Sequence, residues 1–250
     1  MDYKGFFHKQ KYLGVKIMRI AWAITGAGHY IKDSYDVFKK LKQDMPDLKV
    51  SIFISGAGEE VLKMYGLFDR LDSIAPGGYM EEIFLESDQG FSYPKVGRFL
   101  MGKYDHLVVT PATSNTVAKI THGIADTLVT NAVTQAVKGG VPVHVVPVDV
   151  AGVVRSELPY NIDRDICMNC DPCPPRDECP KEAITGEPQI NLLLCNGCGI
   201  CVKVCQYDAI KGGEVELKVR DLDSKNVQVL RGLDEITVLD HPNDILEIIH

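Results

Sequence analysis

The chain has 250 residues, of which 45% are hydrophobic and 24% charged, and its formal net charge is -7. This composition excludes global disorder and suits a chain that buries a core. The net negative charge argues against binding to nucleic acid or to an anionic membrane surface. No apolar run approaches the roughly 20 residues that span a bilayer, and no signal peptide opens the chain. We therefore expect a cytoplasmic protein without a membrane span.

In chain order, the first 150 residues alternate between two kinds of segment. Short apolar runs rich in β-branched residues predict strands, and segments with helical character lie between them. The predicted strands are 18–25, 49–55, 105–110 and 141–148, and the predicted helices are 30–42, 59–65 and 115–137. Such alternation indicates a flavodoxin-like (Rossmann-like) α/β fold, with a parallel sheet covered on both faces. Residues 1–17 precede the first strand, and we predict an extension outside the fold, to which no function is assigned.

After residue 150 the composition changes. Residues 151–165 are predicted to be a linker, and residues 166–210 are rich in Cys, Pro, Asp and Gly with little apolar periodicity. The tail predicts a hairpin from 215–219 and 227–229, a strand at 235–239, and a helix at 244–249 capped by Asn243 or by a turn at Pro242. These changes predict three units, which are a first domain at 18–155, a small domain at 160–212, and a segment at 213–250 that packs on the first domain.

All eight cysteines lie in two runs between Cys167 and Cys205. A chain without an export signal is unsuited to disulfides, which need an oxidising compartment. In each run three cysteines at two-residue spacing surround one corner of a cubane, and the fourth reaches across to the other cluster. Two [4Fe–4S] clusters are therefore predicted. One set of ligands is Cys167, Cys170, Cys173 and Cys205, and the other is Cys179, Cys195, Cys198 and Cys201.

The segment 167–205 resembles a bacterial-type two-cluster ferredoxin, with two departures. Five residues instead of three precede the last cysteine of the first run, and Gln206 replaces the proline that commonly follows the last cysteine. Structural zinc is the alternative, because paired C-x-x-C motifs also bind zinc. Three cysteines at two-residue spacing fit a tetrahedral site poorly, which favours the iron–sulfur interpretation.

Two glycine-containing turns follow the first two predicted strands. These turns are Thr25 to Gly28 and Ser55 to Gly58. Such turns offer backbone N–H groups to a phosphate, although any tight turn between a strand and a helix also needs glycine. Two of them at the carboxyl edge of one parallel sheet indicate a nucleotide site. The first turn lacks the G-x-G-x-x-G pattern and Ser55 stands where an acidic residue would hold an adenosine ribose, so FMN is favoured over FAD or NAD.

The third predicted strand is followed by Pro111-Ala112-Thr113-Ser114-Asn115-Thr116, and the stretch 118–128 reads AKITHGIADTL. Both resemble the PASANT motif and the following stretch of the homo-oligomeric flavin-containing cysteine decarboxylase superfamily, over residues 18–150. A helix cap after a strand is the alternative interpretation of the motif. The resemblance implies trimers or multiples of trimers, with FMN near a subunit boundary. Together with the two glycine-containing turns, it implies an FMN site formed by Gly26, Ala27, Gly28, Ser55, Pro111, Ala112, Thr113, Ser114, Asn115, Thr116 and Asp126.

The departures from that superfamily argue against decarboxylation. Its decarboxylases carry a histidine shortly before the PASANT strand, whereas residues 91–98 of this chain contain none. Their PAMN substrate motif is replaced by Pro147-Val148-Asp149. No catalytic residue is assigned from the sequence. His29, at a predicted helix start beside Gly28, could contact phosphate or flavin.

A flavin domain of this kind joined to a two-cluster segment resembles the archaeal-type dihydromethanopterin reductases. The resemblance implies reduction of a dihydropterin by FMN, with electrons from a one-electron donor such as ferredoxin. The alternative is an electron-transfer flavoprotein without a small-molecule substrate. Between residues 160 and 210 there are eight acidic and four basic residues, which predicts either a solvated face or a docking surface for a redox partner.

Overall fold

A computed structural model describes residues 17–249. The prediction for residues 1–17 falls almost entirely outside the described residues. The main sheet is six-stranded and parallel throughout, with the strand order β3-β2-β1-β4-β5-β8. Its strands are β1 (Arg19–Ile24), β2 (Lys49–Ile54), β3 (Ile83–Leu85), β4 (His106–Ala112), β5 (Val143–Pro147) and β8 (Ile236–Val238). A separate antiparallel ribbon pairs β6 (Val153–Ile162) with β7 (Ile210–Lys218).

Helices cover both faces of the sheet. The α-helices are α1 (Ile31–Asp44), α2 (Gly56–Met64), α3 (Gly97–Leu100), α4 (Ser114–Thr121), α5 (Leu128–Lys138), α6 (Pro174–Asp177), α7 (Ile200–Val204), α8 (Asp221–Arg231) and α9 (Ile245–Ile248). Short 3-10 helices occupy Phe68–Ser73, Glu86–Asp88, Pro94–Val96 and Pro242–Asp244. No helix among residues 17–249 is both long and apolar enough to cross a bilayer.

Strand β1 divides the core into two layers, because alternate residues of a strand face opposite sides of the sheet. Ala21 and Ala23 pack with buried residues of α3, α5 and α8. Ile20, Trp22 and Ile24 pack with those of α1, α2 and α9. Strand β1 is thus buried on both faces, as a central strand of a parallel sheet must be.

The order in which strands are added to the sheet reverses between β1 and β4. From β1 the chain proceeds to β2 and β3 on one side, then returns to β4 and continues outward to β5. A crevice opens outside the carboxyl ends of two strands at such a switch point, and it is where open α/β sheets bind ligands. The turns at Thr25 and Thr113 directly follow these two strands.

The predicted helix at 115–137 is in fact two helices, and that prediction was wrong. Helix α4 ends at Thr121, and α5 begins after Thr127. Gly123 between them has a φ of +69°, a conformation that glycine adopts without strain. Thr127 then starts α5 with a capping box that it forms with Thr130.

Two predictions for the second half were also wrong. The segment predicted as a linker contains β6, and the predicted hairpin does not form. Residues 215–218 belong to β7, whose partner is β6, and residues 227–229 lie within α8. The helix forms because Val227 and Leu230, three residues apart, are buried together against the main core.

The predicted strand and helix at the end of the chain are present. Strand β8 adds to the edge of the sheet beside β5, and α9 packs against α1. The predicted turn at Pro242 forms a 3-10 helix. Its cap is His241, whose side chain accepts a hydrogen bond from the Asn243 N–H. The three-domain division stays a prediction, since the ribbon of β6 and β7 extends across its boundaries.

Candidate functional site

Thr25, only 2% exposed, joins the turns after β1 and β4. Its hydroxyl donates to the Pro111 carbonyl at 2.7 Å and accepts from the Thr113 N–H at 2.9 Å. The hydroxyl therefore both donates and accepts a hydrogen bond within the protein, as a buried polar group should. The two turns on either side of the switch point are consequently held as one unit.

The predicted PASANT-like segment forms the start of α4. Thr113 caps the helix, because its hydroxyl accepts a hydrogen bond from the Thr116 N–H at 3.2 Å. The Ser114 hydroxyl donates to the Asp149 carboxylate, which follows β5. Asn115 is exposed at the first turn. The cap that was the alternative reading of the motif is thus present, and it leaves the Asn115 side chain facing solvent.

The glycines of the first turn lie close to α2 and to Tyr65 at its end. A Cβ added to Gly26 would lie 2.5 Å from the Cβ of Ala57, and one added to Gly28 would overlap the Tyr65 hydroxyl. Ser55 caps α2 by accepting a hydrogen bond from the Gly58 N–H at 3.1 Å. The approach of the first turn to α2 therefore requires Gly26, whereas a side chain at Gly28 would require the Tyr65 ring to move.

Asp126 lies apart from these turns, in the connection between α4 and α5. Its carboxylate pairs with Lys119 at 2.8 Å, and its carbonyl accepts from the Tyr93 hydroxyl at 3.3 Å. The same hydroxyl also donates to the Glu86 carboxylate at 3.2 Å, and the other Glu86 oxygen accepts from the Gly56 N–H at 3.0 Å. Glu86 and Tyr93 thus connect the loop of Asp126 to the turn after β2.

Glu86 and Tyr93 were missed from the sequence. Tyr93 is 8% exposed with a φ of +45°, and its burial, followed by the charge of Glu86, raises the pKa of its phenol. It therefore stays protonated and can donate to Glu86. Tyr93 lies in segment 91–98, where the superfamily resemblance implies only a histidine.

His29 faces the ribbon. It lines a small cavity together with Arg155 and Glu157 of β6, and its ring lies 3.8 Å from that of Tyr30. Burial lowers the pKa of its imidazole, which keeps the ring neutral at physiological pH. Its contact with a phosphate or flavin stays a prediction.

The eight cysteines gather around two separate cavities. One is lined by Cys167, Cys170, Cys173 and Cys205. The other is lined by Cys179, Cys195, Cys198 and Cys201. We call these the first and second thiol groups. Each combines three cysteines of one run with the last cysteine of the other, which is the division that the spacing predicted.

Backbone N–H groups donate hydrogen bonds to two sulfur atoms of the second thiol group. The Ala183 N–H donates to the Cys179 sulfur at 3.3 Å, and the Gly197 N–H donates to the Cys195 sulfur at 3.4 Å. Burial, and then the neighbouring thiols of the same group, raise the pKa of the Cys201 thiol. Such N–H donors suit sulfur atoms that carry negative charge as cluster ligands.

The four cysteines of the first thiol group are all half-buried, whereas Cys198 of the second group is exposed. Burial and the adjacent thiols of Cys173 and Cys167 raise the pKa of the Cys170 thiol. Within residues 17–249, no three His, Cys, Asp or Glu side chains are arranged to hold a metal ion. The fit of these thiols to iron–sulfur clusters therefore rests on their division into two sets of four.

Comparison with known proteins extends this picture. Residues 9–153 match the Flavoprotein family, and residues 188–211 match the 4Fe-4S binding domain. A dihydromethanopterin reductase (acceptor) of Methanosarcina mazei is 59% identical over 94% of this chain and 100% of its own length. A protein of the same name from Methanocaldococcus jannaschii is 49% identical over 92% of this chain and 95% of its own length. The chain belongs to the dihydromethanopterin reductase (acceptor) family.

The predicted fold class is confirmed by the family matches and by a solved structure. Burkholderia xenovorans DmrB in complex with FMN, described as a cubic protein cage for redox transfer, superimposes with a TM-score of 0.61. The two proteins are 24% identical, and the match covers 94% of each chain. The family is one of oxidoreductases, so the reductase interpretation is favoured over the pure electron carrier.

The position of Asn115 gives a testable consequence for flavin binding. If its exposed amide contacts the flavin, Asn115→Ala removes about one hydrogen bond, worth about 1 kcal/mol or roughly fivefold in affinity. We expect lower flavin occupancy, measured by absorbance of the purified protein and by titration of the flavin-depleted form. Thr121→Ala at the far end of α4 is the control and should bind flavin normally. If Asn115→Ala binds flavin as tightly as Thr121→Ala does, Asn115 does not contact the flavin.

Proposed function

We propose that this protein reduces dihydromethanopterin, or a related dihydropterin, to the tetrahydro form with FMN as the hydride donor. Electrons come from an external one-electron donor such as ferredoxin, through two [4Fe–4S] clusters. The observation that carries the proposal is the presence, in one chain, of a flavoprotein sheet and two groups of four thiols. The names of the relatives that align with nearly the whole chain supply the substrate.

The pairing of cofactors has a chemical reason. Clusters carry one electron at a time, and a flavin, when bound, accepts single electrons and donates a hydride. Reduction of a C=N bond needs two electrons and two protons, delivered as a hydride and a proton. In a chain that serves a one-electron donor and a pterin, the clusters would carry single electrons and the flavin would collect two of them for the hydride.

We propose that FMN lies at the switch point between β1 and β4. Helix α4 begins there, and Thr25 holds the turns after both strands in one arrangement. Gly26, Ala27 and Gly28 would approach the phosphate closely, and Ser55 follows the adjacent strand. The PASANT-like segment, Pro111, Ala112, Thr113, Ser114, Asn115 and Thr116, would contact the flavin, with Asp126 beyond it.

We propose that the chain assembles as a homo-oligomer, namely a trimer or a multiple of trimers. Phe91, Leu100 and Met101 are exposed on the flavoprotein part, and an interface would remove this apolar surface from water. The related Burkholderia protein is described as a cage.

The electron donor is proposed to dock on the segment that carries the thiols. Residues 160–210 hold eight acidic and four basic residues. Met168 and Tyr207, which line the cavity of the first thiol group, are both well exposed. An exposed apolar patch within an acidic surface suits a transient redox partner with a basic docking face.

The ligand sets predict the iron content. We expect about eight iron and eight sulfide per chain after anaerobic purification. Cys198→Ala and Cys170→Ala should each lower the iron to about four per chain and remove a different cluster signal in electron paramagnetic resonance. Each variant controls for the other, and both should retain flavin. Stoichiometric zinc with little iron would contradict the assignment.

The reaction is tested by reoxidation of anaerobically reduced protein. Dihydromethanopterin should reoxidise the flavin far faster than buffer does. Cys198→Ala should slow reduction by ferredoxin but leave pterin-dependent reoxidation of chemically reduced protein unchanged, because the pterin meets only the flavin. If wild type and variant both ignore dihydropterins while wild type reduces a protein partner, the protein is an electron carrier.

The proposed assembly is tested by light scattering of the flavin-loaded protein. The mass should be three times that of the chain, or a multiple of this. A monomeric mass with flavin fully bound would refute the proposal.

A further inference from the structure

The loop of the second thiol group touches the flavoprotein part at two facing glycines. Gly66 has a φ of +67°, and Gly197, between Cys195 and Cys198, has a φ of +64°. A Cβ added to Gly197 would lie 2.6 Å from the backbone nitrogen of Gly66, and one added to Gly66 would lie 3.2 Å from the Asn196 carbonyl oxygen. Only glycines allow the two backbones to approach this closely.

Tyr65 extends this contact to the turn after β1. Its hydroxyl donates to the Glu157 carbonyl at 2.5 Å and lies against Gly28. Lys32 of α1 pairs with the Glu157 carboxylate, and its ammonium lies 5.7 Å from the centre of the Tyr65 ring. The side chain is therefore held between the ribbon and the turn proposed for FMN.

These contacts form a continuous path through the protein. The Cys195 sulfur accepts a hydrogen bond from the Gly197 N–H, and Gly197 packs on the backbone of Tyr65 and Gly66. The Tyr65 ring then reaches Gly28. The cavity of the first thiol group is lined, by contrast, only by residues between 162 and 210.

We infer that the second thiol group holds the cluster that passes electrons to the flavin of the same chain, with Tyr65 and Gly66 as the positioning residues. The first thiol group is then the entry point from the external donor. Each electron lost at the second site is gained by the flavin, and two such transfers, with protons from solvent, provide the electrons for one hydride. This inference rests on the proposed function, and it adds the order of the two clusters and the contact between them and the flavin site.

The test disturbs the contact from the flavoprotein side, so that no cysteine or cluster loop is altered. Gly66→Ala places a Cβ against the cluster loop. Gly102→Ala is its matched control, since Gly102 also follows a helix cap with positive φ and an N–H bonded three residues back, but has open space at its Cβ. Tyr65→Phe removes only the hydroxyl, and Tyr79→Phe, at an exposed tyrosine, is its control.

Three readouts are followed in the flavin- and cluster-loaded protein. These are hydrogen exchange at 195–199, reduction of each cluster by ferredoxin in freeze-quenched samples, and bleaching of the flavin in stopped flow. We expect Gly66→Ala to raise exchange at 195–199. Gly66→Ala and Tyr65→Phe should slow flavin bleaching several-fold, with reduction of the first cluster unchanged. Both controls should behave as wild type.

The inference fails if flavin bleaching keeps its wild-type rate in Gly66→Ala although exchange at 195–199 rises, because electrons then take another route, such as one from a neighbouring subunit. It also fails if Tyr65→Phe, which preserves the ring and the fold, bleaches at the wild-type rate. In either case, dihydropterin-dependent reoxidation of wild type would still support the proposed function. Absence of that reoxidation would refute the function, whatever the variants do.

Discussion

The hydroxyl of Thr25 is the small feature on which the geometry of the site depends. It is buried at the end of the central strand and joins β1 to the turn after β4 through one donated and one accepted hydrogen bond. Leaving either partner unsatisfied in a buried position would cost roughly 1 to 3 kcal/mol. The two segments that resemble flavin-binding turns in the sequence are thus held in one fixed arrangement, at the edge where an open α/β sheet binds its ligand.

The segment that carries the thiols has a different basis for its stability. Its own core is limited to Ala183, Ile184, Ile190 and Ile210, with several cysteines packed around them. So small a core cannot offset the conformational entropy of a segment this long, so cross-linking by bound clusters is expected to stabilise it. The ribbon of β6 and β7 fixes both ends of the segment, and the Gly66 contact holds one of its loops. Cluster binding and the position of the loop are therefore expected to depend on each other.

The segment that carries the thiols and the flavoprotein part differ in their charge. The acidic surface around the thiols suits encounter with a protein donor. At the switch point, backbone N–H groups and hydroxyls join the turns to each other, through the bonds of Thr25 with Pro111 and Thr113. The two regions meet at Lys32, Tyr65 and Glu157, where an ion pair and a hydrogen bond join α1, the end of α2 and the ribbon.

Local patterns in the sequence determined the fold class, the turns at Gly26 and Ser55, the start of α4 and the division of the cysteines into two sets. Each of these follows from residue types a few positions apart, whose chemistry is the same wherever the chain places them. Tertiary structure alone decided the pairing of β6 with β7, the helix at 221–231, the link from Glu86 to Tyr93 and the contact of Gly66 with Gly197. These join residues far apart in the chain, and their partners are selected by burial and close packing, which no local spacing encodes.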